Sequence, residues 1–323
     1  MGIEGSIASH IKPLAILGVA PENIKAMACN DKALLIISNS KTIELRKYNN
    51  ETLTKILSLN PTCCCSTERG WAIGFTNGQL SEFDSDLNLI ISYRIPGRSH
   101  AHDGEIKQIQ ENSDFTGKSE SYLMSYGSDN TINLWSKNGK HLFSFTPKFN
   151  ITAVCTSPFY VFLSDDHNQI HTINIETHDI ATYTIPNYAK SIIPLGDGFS
   201  SLAVLSDGSV TILSSRELVS TFNIPITEGI VYALPLVVEY GTGLITYLTM
   251  NKDGKVVLRA LEVEIGEIGK NESVFADSVT HTIVLKDGLI NAYLRDDLET
   301  LSMQYLPEMN LPRERIAKFL MRQ

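Results

Sequence analysis

Seven times along this chain an apolar run reaches a tight-turn residue and returns as a second, alternating run. The seven stretches are 33–45, 71–83, 122–135, 159–173, 201–213, 244–258 and 281–294. Each reads as two β-strands joined by a hairpin turn. Placed on Lys41, Gly78, Asn130, Asn168, Gly208, Gly254 and Gly288, the turns are spaced by 37, 52, 38, 40, 46 and 34 residues, a mean of about 41. A lone hairpin is marginal in water. A hairpin that recurs at this interval has to find its partner surface in the next copy of itself.

Two further runs complete each unit. After the hairpin comes an alternating run: LTKILSL (53–59), LNLIISYRI (87–95), HLFSF (141–145), IATYTI (180–185) and LVSTFNI (218–224). Before the next hairpin comes a run of small apolar residues: IKAMAC (24–29), TCCCS (62–66), ITAVC (151–155), AKSIIPL (189–195) and IVYALPLV (230–237). The former suits an exposed outer edge strand and the latter a crowded inner strand near an axis. Four strands per repeat of ~40–45 residues is the pattern of a β-propeller. The expected architecture is all-β: one seven-bladed propeller of four-stranded antiparallel sheets over residues 11–306. A short tail precedes it (1–10) and a C-terminal helical tail follows it (307–323). In the sixth unit the outer strand is not placed within 262–272. Either KPLAIL (12–17) or LETLSMQYL (298–306) supplies the outer strand that closes the ring.

The third unit carries a specific motif. His102-Asp103-Gly104-Glu105-Ile106 is followed by Ser125-Tyr126-Gly127-Ser128-Asp129-Asn130-Thr131-Ile132-Asn133-Leu134-Trp135. His102, Ser125, Asp129 and Trp135 stand in the order that a WD-repeat propeller unit shows, so this unit resembles that family. An insertion over about 111–121 accounts for the 52-residue interval. The other units depart from the pattern, since the chain has two Trp (Trp71 and Trp135) and no Trp-Asp dipeptide. Propellers of the chromosome-condensation-regulator type are a second comparison, for which Asn77-Gly78-Gln79-Leu80 is only a fragment of the signature. The WD-repeat resemblance implies that His102, Ser125, Asp129 and Trp135 form a structural hydrogen-bond network.

Composition narrows the function. The formal charge is −9, which argues against direct nucleic-acid or anionic-membrane binding, both of which need clustered Lys and Arg. No apolar run reaches the ~18–20 residues of a spanning helix. The five cysteines, Cys29, Cys63, Cys64, Cys65 and Cys155, are odd in number and three are consecutive. They read as reduced strand residues of an intracellular protein, cytoplasmic or nuclear. Residues 1–6 fit a loose myristoylation pattern without a following basic segment, so a chance N-terminus is the preferred reading.

No residue set argues for catalysis. His102, Ser125 and Asp129 supply the residue types of a hydrolase triad, yet no Gly-x-Ser-x-Gly elbow is present. His100-x-His102 and Cys63–Cys65 lack the spacing of a zinc site, so no metal and no cofactor is expected. Two segments point to recognition. The linker 94–102 brings Arg94, Arg98 and His100 to the face where linkers and hairpin turns meet, together with Asn130, His167 and Asn168. In the tail, Ile316, Phe319 and Leu320 form an apolar stripe at helical spacing after Pro312, which reads first as a helix docked on its own propeller and, as the alternative, as a helix that docks on a partner. The expectation is a non-enzymatic protein-interaction scaffold. It would be a monomeric propeller within a larger intracellular multiprotein complex, binding its partners through face and rim. The alternatives are a hydrolase that uses the central channel and an indirect member of a nucleic-acid or chromatin complex.

Overall fold

The computed structural model describes residues 12–38, 41–112, 119–222, 224–239, 243–270, 276–277, 281–286, 288–298 and 300. Their strands form seven four-stranded antiparallel sheets. Blade 1 is β2 (Ile24–Cys29), β3 (Ala33–Ser38), β4 (Thr42–Lys47) and β5 (Thr52–Ile56). Blade 2 is β6 (Pro61–Thr67), β7 (Gly70–Phe75), β8 (Leu80–Phe83) and β9 (Leu89–Tyr93). Blade 3 is β10 (Ile106–Glu111), β11 (Leu123–Gly127), β12 (Ile132–Trp135) and β13 (His141–Phe145). Blade 4 is β14 (Ile151–Thr156), β15 (Tyr160–Asp165), β16 (Gln169–Asn174) and β17 (Ile180–Thr184). Blade 5 is β18 (Ala189–Pro194), β19 (Ser200–Leu205), β20 (Val210–Ser214) and β21 (Leu218–Thr221). Blade 6 is β22 (Ile230–Glu239), β23 (Leu244–Asn251), β24 (Lys255–Ala260) and β25 (Val263–Lys270), which supplies the outer strand the sequence left unplaced. Blade 7 joins β26 (Ala276–Asp277), β27 (His281–Lys286) and β28 (Leu289–Leu294) to β1 (Ala15–Val19) from the other end of the chain.

Ring closure is therefore N-terminal. Ala15 pairs with Ala292, Ile16 with Asn291 and Val19 with Leu289. Gly18, at φ 84°, sits in the irregularity between Ile16 and Val19. Arg46 of blade 1 donates from Nη1 to the carbonyls of Leu17 (2.7 Å) and Val19 (2.8 Å), pinning the closing strand to its neighbour. The other candidate gives no outer strand where it is described: residues 295–298 and 300 are helical. Arg295 donates from Nη2 to the carbonyls of Pro235 and Leu236, at 2.9 and 2.7 Å. The tail 307–323, with Ile316, Phe319 and Leu320, lies outside the described residues.

Burial explains why the second strand of each blade is apolar throughout rather than alternating. A blade is covered on both faces. Along β3, Leu34 and Ile36 pack towards blade 7, while Ala33, Leu35 and Ile37 pack towards blade 2. The same division recurs around the ring, with an apolar cluster at each interface and one continuous cluster across blades 5, 6 and 7. Successive inner strands touch: β2 with β6, β6 with β10, β10 with β14, β14 with β18, and β18 with β22. Six inner strands share a register irregularity at their first residues, at Ile24, Pro61, Ile106, Ile151, Ala189 and Ile230. A bulge at this point adds twist and turns the strand in towards the axis.

Side chains stitch inner strands that lack backbone pairing. The Gln110 amide donates to the Thr156 carbonyl and accepts from the Thr156 N–H, both at 3.0 Å, so it mimics a strand rung between blades 3 and 4. Thr62 Oγ1 donates to the Ile106 carbonyl at 2.6 Å between blades 2 and 3. Cysteines take the same positions. Cys63 and Cys65 face blade 3 and Cys64 faces blade 1, as strand alternation requires.

Candidate functional site

Hairpin turns and inter-blade linkers meet on one face, through hydrogen bonds from one to the other. Leu57 donates to the Lys41 carbonyl, Ala101 and His102 to Gly78, Ile185 to Asn168, and Lys252 to Gly229. Gly78 is required here. At φ 81°, a Cβ would stand 1.9 Å from the His102 carbonyl oxygen. Four-residue turns and a close linker thus place the sequence candidates on a common surface.

The third blade shows what its motif does. His102 Nδ1 lies 3.1 Å from Asp129 Oδ1, and His102 Nε2 lies 2.8 Å from Ser125 Oγ. Trp135 Nε1 donates to Ser125 Oγ at 2.9 Å, and the Asp103 N–H donates to Asp129 Oδ2 at 2.9 Å. The directions follow from the ends of the chain. Indole can only donate, so Ser125 accepts there and donates to His102 Nε2. The Nδ1–H of His102 then donates to the carboxylate. Burial pushes the Asp129 carboxyl up. The hydrogen bonds from His102, Asp103 and Thr131 outweigh it and hold the group below the ordinary carboxylate range. Ser125 and Trp135 are fully buried and His102 is 2% exposed, so the hydroxyl has no path to a substrate. The arrangement locks linker, turn and third strand together.

The recognition candidates divide. Arg94 is exposed. Arg98 is exposed and paired with Asp103 at 2.9 Å. His100 has its Nδ1 buried without a hydrogen-bond partner. Asn130 adopts φ 58° and spends its amide on the following linker, donating to the Phe149 carbonyl at 2.7 Å. Its role is therefore positional. His167 is largely exposed beside Asp166, at 2.9 Å, and Asn168 holds the turn at φ 62°.

Three features escaped the sequence. The first is a buried carboxylate, Glu82 on β8, fully enclosed between blades 2 and 3. It accepts from Thr67 Oγ1 (2.7 Å), Tyr93 OH (2.7 Å) and Tyr122 OH (2.9 Å), and it is paired with Arg69. The signal lay in Glu82 falling two residues after Leu80 in β8, where the alternation calls for an apolar residue. The second is a cavity of about 680 Å³ where inner strands end, lined among others by Asp31, Glu68, Gln110, Glu111 and Arg295. Burial pushes the Glu111 carboxyl up, against a hydrogen bond from the Glu68 N–H. This mouth lies on the face opposite the linkers. The third is the outer rim. Of nine large hydrophobics exposed among the described residues, seven lie on or beside the outer strands of blades 7, 1 and 2: Leu14, Ile16, Val19, Leu53, Ile56, Leu89 and Ile90. An outer run was expected to be exposed; three adjacent ones are also greasy. Among the described residues no three His, Cys, Asp or Glu side chains form a metal-holding group, and no helix is long and apolar enough to cross a membrane.

Fold and surfaces together define the class: a closed seven-bladed β-propeller whose polar networks are internal braces. The solved structure of U3-55K has the same fold. It is 10% identical in sequence, with a TM-score of 0.65 over 86% of this chain and 97% of that one. At that identity the likeness establishes the fold. No protein-family profile and no curated sequence matches the chain.

Proposed function

We propose that this chain is a non-enzymatic protein-interaction scaffold, a divergent WD-repeat propeller that serves as a monomeric subunit of a larger intracellular assembly. The observation that carries this reading is the aliphatic sector of the rim. Exposed apolar side chains concentrate on three consecutive blades, and such a concentration marks a surface that another protein covers. The third-blade network supports the WD-repeat assignment, and five cysteines that form no disulfide support a reducing compartment. The linker face, with Arg94 and Arg98, offers a second contact surface beside the rim. The negative net charge favours protein over nucleic-acid partners. Affinity purification of the tagged full chain tests the proposal. Stoichiometric partners are expected, and the paired changes Ile56→Lys and Leu89→Lys should release at least one of them. A chain that purifies bare from its native cell extract, at any salt, refutes it.

A further inference from the structure

Two depressions on the face opposite the linkers share three of their lining residues, Ser119, Glu120 and Lys140. They form one groove across blades 3 and 4. One end, about 520 Å³, has an apolar floor of Leu142, Phe143, Phe159 and Ile175, all part-buried. Its wall is built rather than incidental. His178 of blade 4 adopts φ 61°, unusual for a residue with a side chain. That backbone lays its ring flat on Phe143 of blade 3, with centroids 4.3 Å apart. Burial lowers the His141 pKa, so its ring is neutral near pH 7 and adds to the apolar end. Ser121, 4% exposed, lines this end with a hydroxyl that has no hydrogen-bond partner.

The other end, about 630 Å³, carries three cations, Arg69, Lys137 and Lys140, and one carboxylate, Glu120, together with Ser136 and Asn138. Arg69 is neutralised by buried Glu82, and Lys137 is paired with Glu68 in an exposed contact that water weakens. Lys140 makes no ion pair among the described residues. The turn that carries Lys137 and Lys140 is stiff. Ser136 Oγ accepts from the Lys140 N–H at 3.1 Å, and the Gly139 N–H donates to the Ser136 carbonyl at 2.9 Å. Lys140 and Glu120 stand together at the junction, Arg69 and Lys137 beyond it on one side and Glu176 on the other, so the outer cations and the outer carboxylate lie at opposite ends of the groove.

From this polarity we infer a docking site for an extended segment of a partner protein, in which acidic residues precede or follow an aromatic or aliphatic anchor. The anchor fills the space over Phe143 and Phe159, and the acids meet Lys140 and Lys137 in exchange for Glu68. An already ordered turn and a clamped aromatic wall lower the entropic cost of binding. This inference rests on the scaffold reading and adds a surface and a partner chemistry to it.

The test is fluorescence anisotropy with the full chain and a labelled synthetic peptide library. The library is randomised around Phe and Leu anchors with acidic or basic flanks. Acid-flanked members are expected to bind saturably and basic-flanked ones not. The exposed double variant Lys137→Glu/Lys140→Glu should weaken binding about ten-fold or more, while Lys41→Glu/Lys252→Glu, two exposed lysines on the opposite face, leaves it unchanged. Thermal melts of both variants verify folding. Absence of saturable binding, equal binding of both flank types, or equal binding by Lys137→Glu/Lys140→Glu overturns the inference. If that double variant binds peptide as the parent does while partners still co-purify with the chain, this site falls and the scaffold reading stands; a bare wild-type chain removes the scaffold reading on which the site rests.

Discussion

Ser125 is the joint of the third-blade network, and removing its hydroxyl gives a calculable loss. In Ser125→Ala the Trp135 N–H loses its acceptor at 2.9 Å and His102 Nε2 loses its donor at 2.8 Å. Both groups are buried, so water does not replace Oγ without a cavity of its own. An unsatisfied buried group costs about 1–3 kcal/mol. The two sites do not suffer equally. Asn133 Nδ2 already lies 3.3 Å from His102 Nε2 and takes over as donor there, whereas nothing comparable reaches the indole. The combined cost is then about 3 kcal/mol, most of it at Trp135. Unfolding entropy for a chain of 323 residues is on the order of 0.7 kcal/mol/K, so the melting temperature should fall by about 4 °C. Calorimetry measures this directly, with Ser128→Ala, an exposed hydroxyl in the same hairpin, as the control expected to change little. Trp71 and Trp135 are the only tryptophans, so a shifted native emission would report the altered indole environment. A Ser125→Ala melting temperature within about 1 °C of the parent would refute the claim that the network braces the blade.

Four other outcomes follow from the same structure. Asp129 has a depressed folded-state pKa, so its contribution is present above the ordinary carboxylate range and is lost as pH falls through the folded value; melts from pH 6 to about pH 3 should show a shallower acid loss for Asp129→Asn. Glu82→Ala strands Arg69, Tyr93, Tyr122 and Thr67 around an empty site and should cost about 3–5 kcal/mol, seen in chemical denaturation, whereas a change under ~1 kcal/mol contradicts the enclosed geometry. Arg46→Met frees the Leu17 and Val19 carbonyls, and hydrogen exchange should quicken in Ala15–Val19 before any other strand of blade 7. Burial pushes Cys63 and Cys155 up to about 12 and Cys64 and Cys65 well above the ordinary thiol range, and Cys29 is buried too; a thiol reagent near pH 8 should label all five slowly in the native chain and rapidly after unfolding.

Much of the fold was legible because its signals are local. Gly78, Gly208, Gly254 and Gly288 fall where hairpin geometry needs positive φ, and Asn130 and Asn168 tolerate it, so turn chemistry alone marked six of the seven repeats. Runs such as ALLIIS announced strands covered on both faces. The blurred stretch after Leu258 hid an outer strand because two register irregularities against β24 interrupt its two-residue period, leaving Val263, Ile265 and Ile268 without regular alternation. Ring closure was undecidable from the chain, since 12–17 and 298–306 both read as outer strands. The choice depends on which one reaches β28, and Arg46 reveals it only in three dimensions. The candidate surface was less legible still. Asn130 looked available for recognition but its amide is consumed by the Phe149 carbonyl, and Lys140 drew no attention until its turn was set beside Phe143 and His178.

What the amino-acid order settled by itself was the unit: four short strands, a bend of known type, and a period that forces each copy onto the next. These follow from steric limits on single residues and from burial at a two-residue period, which act over a few positions. Only the assembled ring decided which carboxylate is enclosed, which strand shuts the circle, and where aliphatic and cationic side chains from distant repeats come to share a surface. Those properties depend on separations of tens to hundreds of residues, and side-chain contacts at that range exist only once the blades have packed.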